Sequence, residues 1–171
     1  MTQTWWPDAD SHVATANPNS NYGGVPALVV SPNAGGPARS FVHFDLSSVP
    51  AGATIVEASL RICPVSVNIL ALGRVHDLHR VTSAWTENGV TWNTRPITTA
   101  AATDSHAVLA GLVCQTYEVT PDVQLWAAGS SNYGWQLSDA ATNLINAEVN
   151  YGSRETADNS ARPLLTVTFV P

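Results

Sequence analysis

The chain of 171 residues contains no lysine, and its positive charge comes from seven arginines alone. Charged residues make up 12% of the sequence, about half the share of an average globular protein. The formal net charge is −6. Nucleic acids and anionic membrane surfaces are bound through clusters of cations, so the sequence predicts neither kind of partner.

Long hydrophobic runs are missing as well. No stretch of about 18 consecutive apolar residues occurs, which predicts that no segment inserts into a membrane. Residues 1–7 have neither a cationic start nor an apolar centre, so no signal peptide is expected in this chain.

Signatures of catalysis are equally sparse. The sequence has no Gly-x-Ser-x-Gly motif, and neither cysteine lies in the local motif of a catalytic thiol. Hydrolysis of a glycoside needs two carboxylates at a set separation, which sequence spacing does not reveal. The sequence therefore predicts a protein that is not an enzyme, although carboxylates are available at Glu57, Glu87, Asp104, Glu118, Asp139 and Glu148.

What the sequence does contain is a series of short apolar runs. Eleven glycines and eleven prolines are spread along the chain, with runs rich in Val, Leu, Ile, Thr and Phe between them. We predict an all-β fold, a single antiparallel β-sandwich of jelly-roll type. The first and last strands are expected to pair, and the predicted strands are 11–15, 27–31, 39–46, 54–67, 73–82, 98–108, 114–120, 134–139, 146–151 and 163–170.

Alternation of apolar and polar residues gives the register of three strands, because one face of each is buried and the other is wetter. The residues predicted to lie between the two sheets are Val42, Phe44, Leu60, Ile62, Val119, Leu165 and Val167.

One short helix is predicted near residues 121–128. Pro121 suits a first helical turn, Thr120 can cap it, and Gly129 follows its end. The chain is divided into an N-terminal extension, residues 1–7, and a sandwich domain, residues 8–171.

The most distinctive stretch, residues 83–96, reads Ser-Ala-Trp-Thr-Glu-Asn-Gly-Val-Thr-Trp-Asn-Thr-Arg-Pro, with a strand-like Val-Thr-Trp centre. It resembles the W-T-E … V-T-W-N signature of the DNRLRE-type β-sandwich domains of large bacterial extracellular proteins. The resemblance covers almost the whole chain, from about residue 8 to 170. Further landmarks in the same order are residues 18–23, 39–53, 58–62, 117–120, 132–134, 153–155 and 163–167.

This resemblance implies binding or spacing, not catalysis. The family is related to carbohydrate-binding modules for alginate-like polyuronates, which need clustered cations, and the literal DNRLRE hexapeptide is absent here. The first hypothesis is a non-catalytic extracellular module that binds a polysaccharide or attaches to a surface. The second is a structural or decoration subunit of an extracellular assembly, such as a phage virion or a cell-surface filament.

Both hypotheses place the protein outside the cell, secreted, at a cell surface or in a virion. The expected partner is a polysaccharide or a structural protein, and a homo-oligomer is compatible with both. Two routes to the outside remain open: the chain is a part of a secreted protein, or it leaves by another route such as cell lysis.

Candidate ligand contacts are mostly aromatic. Trp5 and Trp6 precede a proline outside any strand pattern, so they pack on a neighbouring subunit, stack on a sugar or fold back on their own domain. Tyrosines in Asn-Tyr-Gly turns either pack beneath the turn or stack on a sugar. The candidates are Trp5, Trp6, Tyr22, Tyr133 and Arg154.

Arg154 and Glu155 match an Arg-Glu pair of the resembled family. As neighbours on a strand they are expected to face opposite ways and to anchor separate loops.

An oxygen cage for calcium is the candidate metal site. Asp8 and Asp10 are two positions apart, so on a strand both carboxylates point the same way. With Asn19, Glu155 or Asp158 they could bind calcium, which favours oxygen ligands. The alternative is a solvated acidic edge or a set of turn caps. No other cofactor is predicted.

The two cysteines, Cys63 and Cys114, are predicted to point away from the core, since Ile62, Tyr117 and Val119 take the core-facing positions of their strands. Free thiols there would be a redox liability outside the cell. A disulfide between them is predicted, the alternative being two unpaired thiols covered by a loop or a partner.

Overall fold

A computed structural model describes residues 1–33, 36–143 and 145–171. Over these residues the chain forms twelve strands, one α-helix and two 3₁₀ turns, Ile69–Ala71 and Asn159–Ala161, so the predicted all-β fold with one short helix is confirmed. The elements are β1 (Thr2–Trp5), β2 (Ala9–Ala14), β3 (Ala27–Val30), β4 (Ala38–His43), β5 (Thr54–Ile62), β6 (Pro64–Val67), β7 (Val75–Arg80), β8 (Asp104–Ala107), β9 (Gln115–Glu118), α1 (Thr120–Ala127), β10 (Trp135–Asp139), β11 (Val149–Gly152) and β12 (Leu164–Val170).

The strands form three antiparallel sheets. Their orders are β1-β12-β5-β9 in the first sheet, β2-β4-β10-β7-β8 in the second and β3-β11-β6 in the third. One large apolar core draws side chains from all three sheets and from α1, as expected for a sandwich. The seven residues predicted to be buried are all in this core, and none exposes more than 3% of its surface.

The N-terminal residues form part of the first sheet. β1 pairs with β12 from Thr2 opposite Thr168 to Trp5 opposite Leu165. The expectation that residues 1–7 stand outside the strand pattern is wrong for this stretch, because backbone hydrogen bonds at a sheet edge do not require apolar side chains. The predicted pairing of residues 11–15 with the last strand is also wrong, since β2 pairs with β4.

The helix α1 has the predicted place but a different start. Val119 is its N-cap residue and supplies no side-chain cap. Thr120 lies in the first turn, where its hydroxyl accepts the N–H of Ala58 at 2.7 Å and ties the helix to β5, so the predicted threonine cap is wrong. Gly129 follows the helix with a φ of 104°, a left-handed conformation that favours glycine.

The tryptophan-rich segment, residues 82–98, lies over the outer face of the second sheet. Its Val90 and Trp92 join a second apolar cluster with Val13, Phe41 and Val81. The strand-like Val-Thr-Trp centre does not extend a ladder: the Val90 N–H bonds back to the Thr86 carbonyl in a turn, and the apolar side chains pack onto a sheet face.

Two arginines hold this segment in place. The guanidinium carbons of Arg39, on β4, and of Arg95 lie 5.2 and 4.1 Å from the centre of the Trp92 ring. Each contact is a cation–π interaction, so the indole is clamped between the sheet and its own loop.

A disulfide joins Cys63, at the junction of β5 and β6, to Cys114, just before β9. The predicted crosslink is therefore present. Cys114 is exposed, as expected, whereas Cys63 is buried. Within the described ranges, no helix has the length and apolar character needed to cross a bilayer.

Replacing both cysteines in C63S/C114S should lower the free energy of unfolding by about 3–4 kcal/mol, because the crosslink restricts the unfolded chain. Urea denaturation measures the change. The wild type unfolded with reductant should match the double variant, and equal midpoints with and without the bond would contradict the assignment.

Phe44→Ala should cost about 3–5 kcal/mol, the range for emptying a large aromatic site. Phe44 is fully buried, and its ring meets the edge of Trp135 with centres 6.2 Å apart. Val56→Ala is the control, because Val56 is 58% exposed and its truncation should cost about 1 kcal/mol or less. Similar losses in the two variants would show that Phe44 is not a core residue.

Candidate functional site

A groove of about 410 Å³ opens where β4 runs into the loop before β5. Its walls come from residues 43–51 on one side and from residues 123–132, around the end of α1, on the other. The lining includes the apolar side chains of Leu46, Val49 and Trp126. The groove therefore depends on two chain segments that only the folded sandwich brings together.

A second hollow of about 270 Å³ adjoins the groove. His43 and Asn132 line both. Asn132 is held in place, because its amide nitrogen donates to the Phe44 carbonyl at 2.8 Å and its oxygen accepts the Gly134 N–H at 2.9 Å. We call the two hollows together the His43 cleft, and the second is lined by Asp8, Ala9, His43, Trp85, Thr86, Glu87, Asn132 and Tyr133.

His43 lies at the junction of the two hollows with an oriented ring. Its Nδ1 is 2.6 Å from the carboxylate Oδ1 of Asp8. Because a carboxylate accepts, the hydrogen bond assigns a proton to Nδ1. Within the described part of the chain Nε2 has no hydrogen-bond partner, so it remains available to a ligand.

Asp45 is the one carboxylate among the described residues that line the larger groove. Its carboxylate is exposed and accepts the Ser47 N–H at 2.8 Å. This hydrogen bond lowers the pKa of Asp45 below its ordinary value, so the group carries a negative charge at neutral pH. Of the described residues that line the cleft, none is an arginine.

Trp126 contributes an unused donor. Its residue is 8% exposed, its ring lies 4.6 Å from that of Trp135, and its Nε1 has no acceptor among the described residues. By contrast, the Trp135 Nε1 donates to Asp122 at 2.8 Å. A buried donor without an acceptor costs about 1–3 kcal/mol.

Glu87, at the far end of the cleft, also belongs to a cluster of three carboxylates. Asp10, Glu87 and Glu155 offer oxygens that all lie within 4.8 Å of one another. The Asp10 carboxylate is 1% exposed and accepts the Arg154 N–H at 2.7 Å, while Glu87 accepts the Asp10 N–H at 3.0 Å. This oxygen set could hold a divalent cation, and calcium suits it best.

Burial raises the pKa of Asp10 to about 8, although the Arg154 N–H lowers it, and the charges of Glu155 and Glu87 raise it further. Near neutral pH Asp10 therefore keeps its proton, and a cation bound at the cluster would have to displace it.

Arg154 ties this cluster to its surroundings. Its Nη1 donates to the Asp8 carbonyl at 2.5 Å and to Glu87 at 3.0 Å, and its Nε lies 3.6 Å from Glu155. The expectation that Arg154 and Glu155 do not meet is wrong, because both lie in a turn after β11 and not on a strand. Arg154 thus contacts two loops, one through the Asp8 carbonyl and one through Glu87.

The structure separates the residues predicted to form the calcium site. Asp10 and Glu155 come together, but Asp8 binds His43. Asn19 accepts a hydrogen bond from Asn93 at 2.8 Å, and Asp158 caps a 3₁₀ turn through the Ser160 N–H at 2.9 Å. Calcium at Asp10, Glu87 and Glu155 stays a prediction, with Glu87 replacing the three residues that lie elsewhere.

The predicted ligand residues are also dispersed. Tyr133 lines the His43 cleft, whereas Arg154 does not line it but donates to Glu87, which does. Tyr22 stacks on the His12 ring with centres 4.2 Å apart. Trp5 folds back onto its own core and donates to Ser48 at 3.2 Å, while Trp6 is 51% exposed.

Sequence reasoning missed His43, Asp45 and Trp126. No local motif marks them, because residues 43–51 and 123–132 meet only in the folded chain. Glu87 carried one signal, its place in the Trp-Thr-Glu of the resembled signature.

The chain is thus an antiparallel β-sandwich that carries a surface cleft built from two hollows sharing His43 and Asn132. A family model, carbohydrate-binding module family 96, matches residues 1–169, and the chain belongs to this family. No curated protein matches the chain.

Calcium and pH should act on the stability of the protein through Asp10. In EDTA, the raised pKa makes the folded state keep a proton that the unfolded chain releases, so Asp10 lowers stability as the pH rises from about 4 to about 8. Calcium needs the ionised carboxylate, so its stabilising effect should be larger near pH 8 than near pH 5.

Thermal unfolding in EDTA and in millimolar calcium, for the wild type and Asp10→Asn, measures both effects. The difference between wild type and variant should change with pH in EDTA, and calcium should raise the Tm of the wild type only. A wild-type Tm that calcium leaves unchanged near pH 8 would rule out the cation.

Proposed function

We propose that the chain is a non-catalytic, extracellular module that binds a polysaccharide in the His43 cleft. The observation that carries the proposal is the joining of two hollows at His43 in a member of a carbohydrate-binding family. The disulfide supports an extracellular location, because such bonds persist in oxidising compartments.

The chemistry of the cleft suits a sugar. A pyranose ring has apolar C–H faces and an edge of hydroxyl groups, and a binding site for it needs both kinds of surface. Leu46, Val49 and Trp126 provide apolar surface, while His43 and Asp45 provide polar groups beside it. The extension of the groove into a second hollow favours a chain of sugars over a single ring.

The resemblance to DNRLRE-type domains supports the same location. Of the stretches that carry the resemblance, residues 39–53 contain one wall of the groove, and Trp-Thr-Glu at 85–87 lines the second hollow. Asn132 lines both hollows, and Tyr133 lines the second. We therefore also propose that the chain is related to the DNRLRE-type domains. The alginate-type ligands of the related modules fit less well, because the described lining residues include no arginine.

A structural or decoration subunit of an extracellular assembly is the second candidate. One observation favours it: Trp6 is 51% exposed directly after the edge strand β1, where a neighbouring subunit could cover it. Native mass spectrometry of the purified protein tests this, because an assembly subunit should form particles larger than a monomer that the variant Trp6→Ser weakens.

Filling the groove should abolish binding. Ser130 lines it with an exposed side chain, so Ser130→Trp should reduce affinity at least about tenfold while the fold is retained. Ala100→Trp is the control, since Ala100 is exposed and lies outside the cleft. Affinity electrophoresis through gels containing neutral and acidic polysaccharides measures the change, and an assay for new reducing ends should stay negative.

Retention of the wild-type protein by one or more polysaccharides, lost in Ser130→Trp alone, is the expected result. Equal retention of both variants would move the site elsewhere, and absence of retention by every polysaccharide would overturn the function.

A further inference from the structure

We propose that the His43 cleft selects an uncharged polysaccharide, and that Asp45 in the groove and His43 at the junction of the two hollows bind its hydroxyl groups. This inference rests on the proposed function, because it concerns the same cleft. It adds the class of ligand and the residues that discriminate it.

Three carboxylates line the cleft, and of these only Asp45 has no basic side chain bonded to it among the described residues. Asp8, Asp45 and Glu87 line it, and the described lining residues include no arginine to offset them. Arg154 is the cation adjoining this lining, and it already donates to Glu87 and to the Asp8 carbonyl. An acidic sugar would therefore bring its carboxylate next to carboxylates without a free cation, an arrangement that Coulomb repulsion disfavours.

The other arginines add no positive charge to the lining of the cleft. Arg74 pairs with Asp139 at 2.6 Å and Arg80 with Asp122 at 3.0 Å. Arg39 and Arg95, which have no carboxylate partner among the described residues, stack on Trp92 over the outer face of the second sheet, and neither lines the cleft.

Hydroxyl groups, in contrast, suit both Asp45 in the groove and His43 at the junction. The exposed Asp45 carboxylate can accept from two neighbouring hydroxyls of one ring, and hydrogen bonds to an ionised acceptor are about twice as strong as neutral ones. His43 is held by Asp8 through Nδ1, so its Nε2 can accept a third hydroxyl in the neutral ring.

The wall of the groove fits the remaining surface of a sugar. Leu46 and Val49 offer apolar contact for a C–H face. The Trp126 side chain adds a further apolar ring to the lining, while its Nε1 is covered.

The experiment compares uncharged and acidic probes of similar length. Isothermal titration of the wild type with manno-, xylo- and gluco-hexaoses, and with hexamers of mannuronate and galacturonate, should show binding of one or more uncharged probes and about tenfold or more weaker binding of both acidic ones.

Asp45→Asn should lose about tenfold in affinity for the uncharged probe, since it removes the ionised acceptor. It should also reduce the difference in affinity between the uncharged and the acidic probes, since it removes the repulsion of the acidic ones. Glu57→Gln is the matched control: it changes the net charge equally at an exposed position outside the cleft and should leave both affinities unchanged.

Each outcome decides a different part. Preference for an acidic hexamer would overturn the inference and leave carbohydrate binding intact. Binding of an uncharged hexamer that Asp45→Asn does not weaken would overturn the role of Asp45. If neither these hexamers nor the polysaccharide gels bind the wild type, the proposed function fails together with this inference.

Discussion

The hydrogen bonds of Arg154 are the contacts on which the far end of the cleft depends. Its backbone N–H holds Asp10 on β2, and its guanidinium holds Glu87 of the tryptophan-rich segment and the carbonyl of Asp8. Asp8 in turn orients His43. One arginine in a turn after β11 thus fixes the positions of three segments that are far apart in sequence.

Burial of Asp10 shows the cost of this arrangement. A carboxylate that is 1% exposed beside two others is costly to ionise, and its pKa rises accordingly. A proton or a cation offsets the repulsion. Glu87 belongs both to this cluster and to the lining of the cleft.

The sequence predicts the core well, because alternation on strands such as β4 and β12 leaves one choice of buried face. It does not predict β1, whose polar Thr-Gln-Thr is held by backbone bonds at a sheet edge, nor the packing of Trp92 on a sheet face. The sequence predicts the disulfide, because free thiols outside the core would be a redox liability, but it does not predict that Cys63 is buried. The cleft does not follow, since His43 and Trp126 meet only through tertiary packing.

Binding of the polysaccharide in the His43 cleft can be tested directly by nuclear magnetic resonance of the ¹⁵N-labelled protein, titrated with the hexaose that binds most tightly. We expect chemical-shift changes of the Trp126 indole N–H and the Ser130 amide, with the Trp92 indole signal unchanged. Shifts confined to Trp92 or Trp6, with Trp126 and Ser130 unmoved, would contradict it.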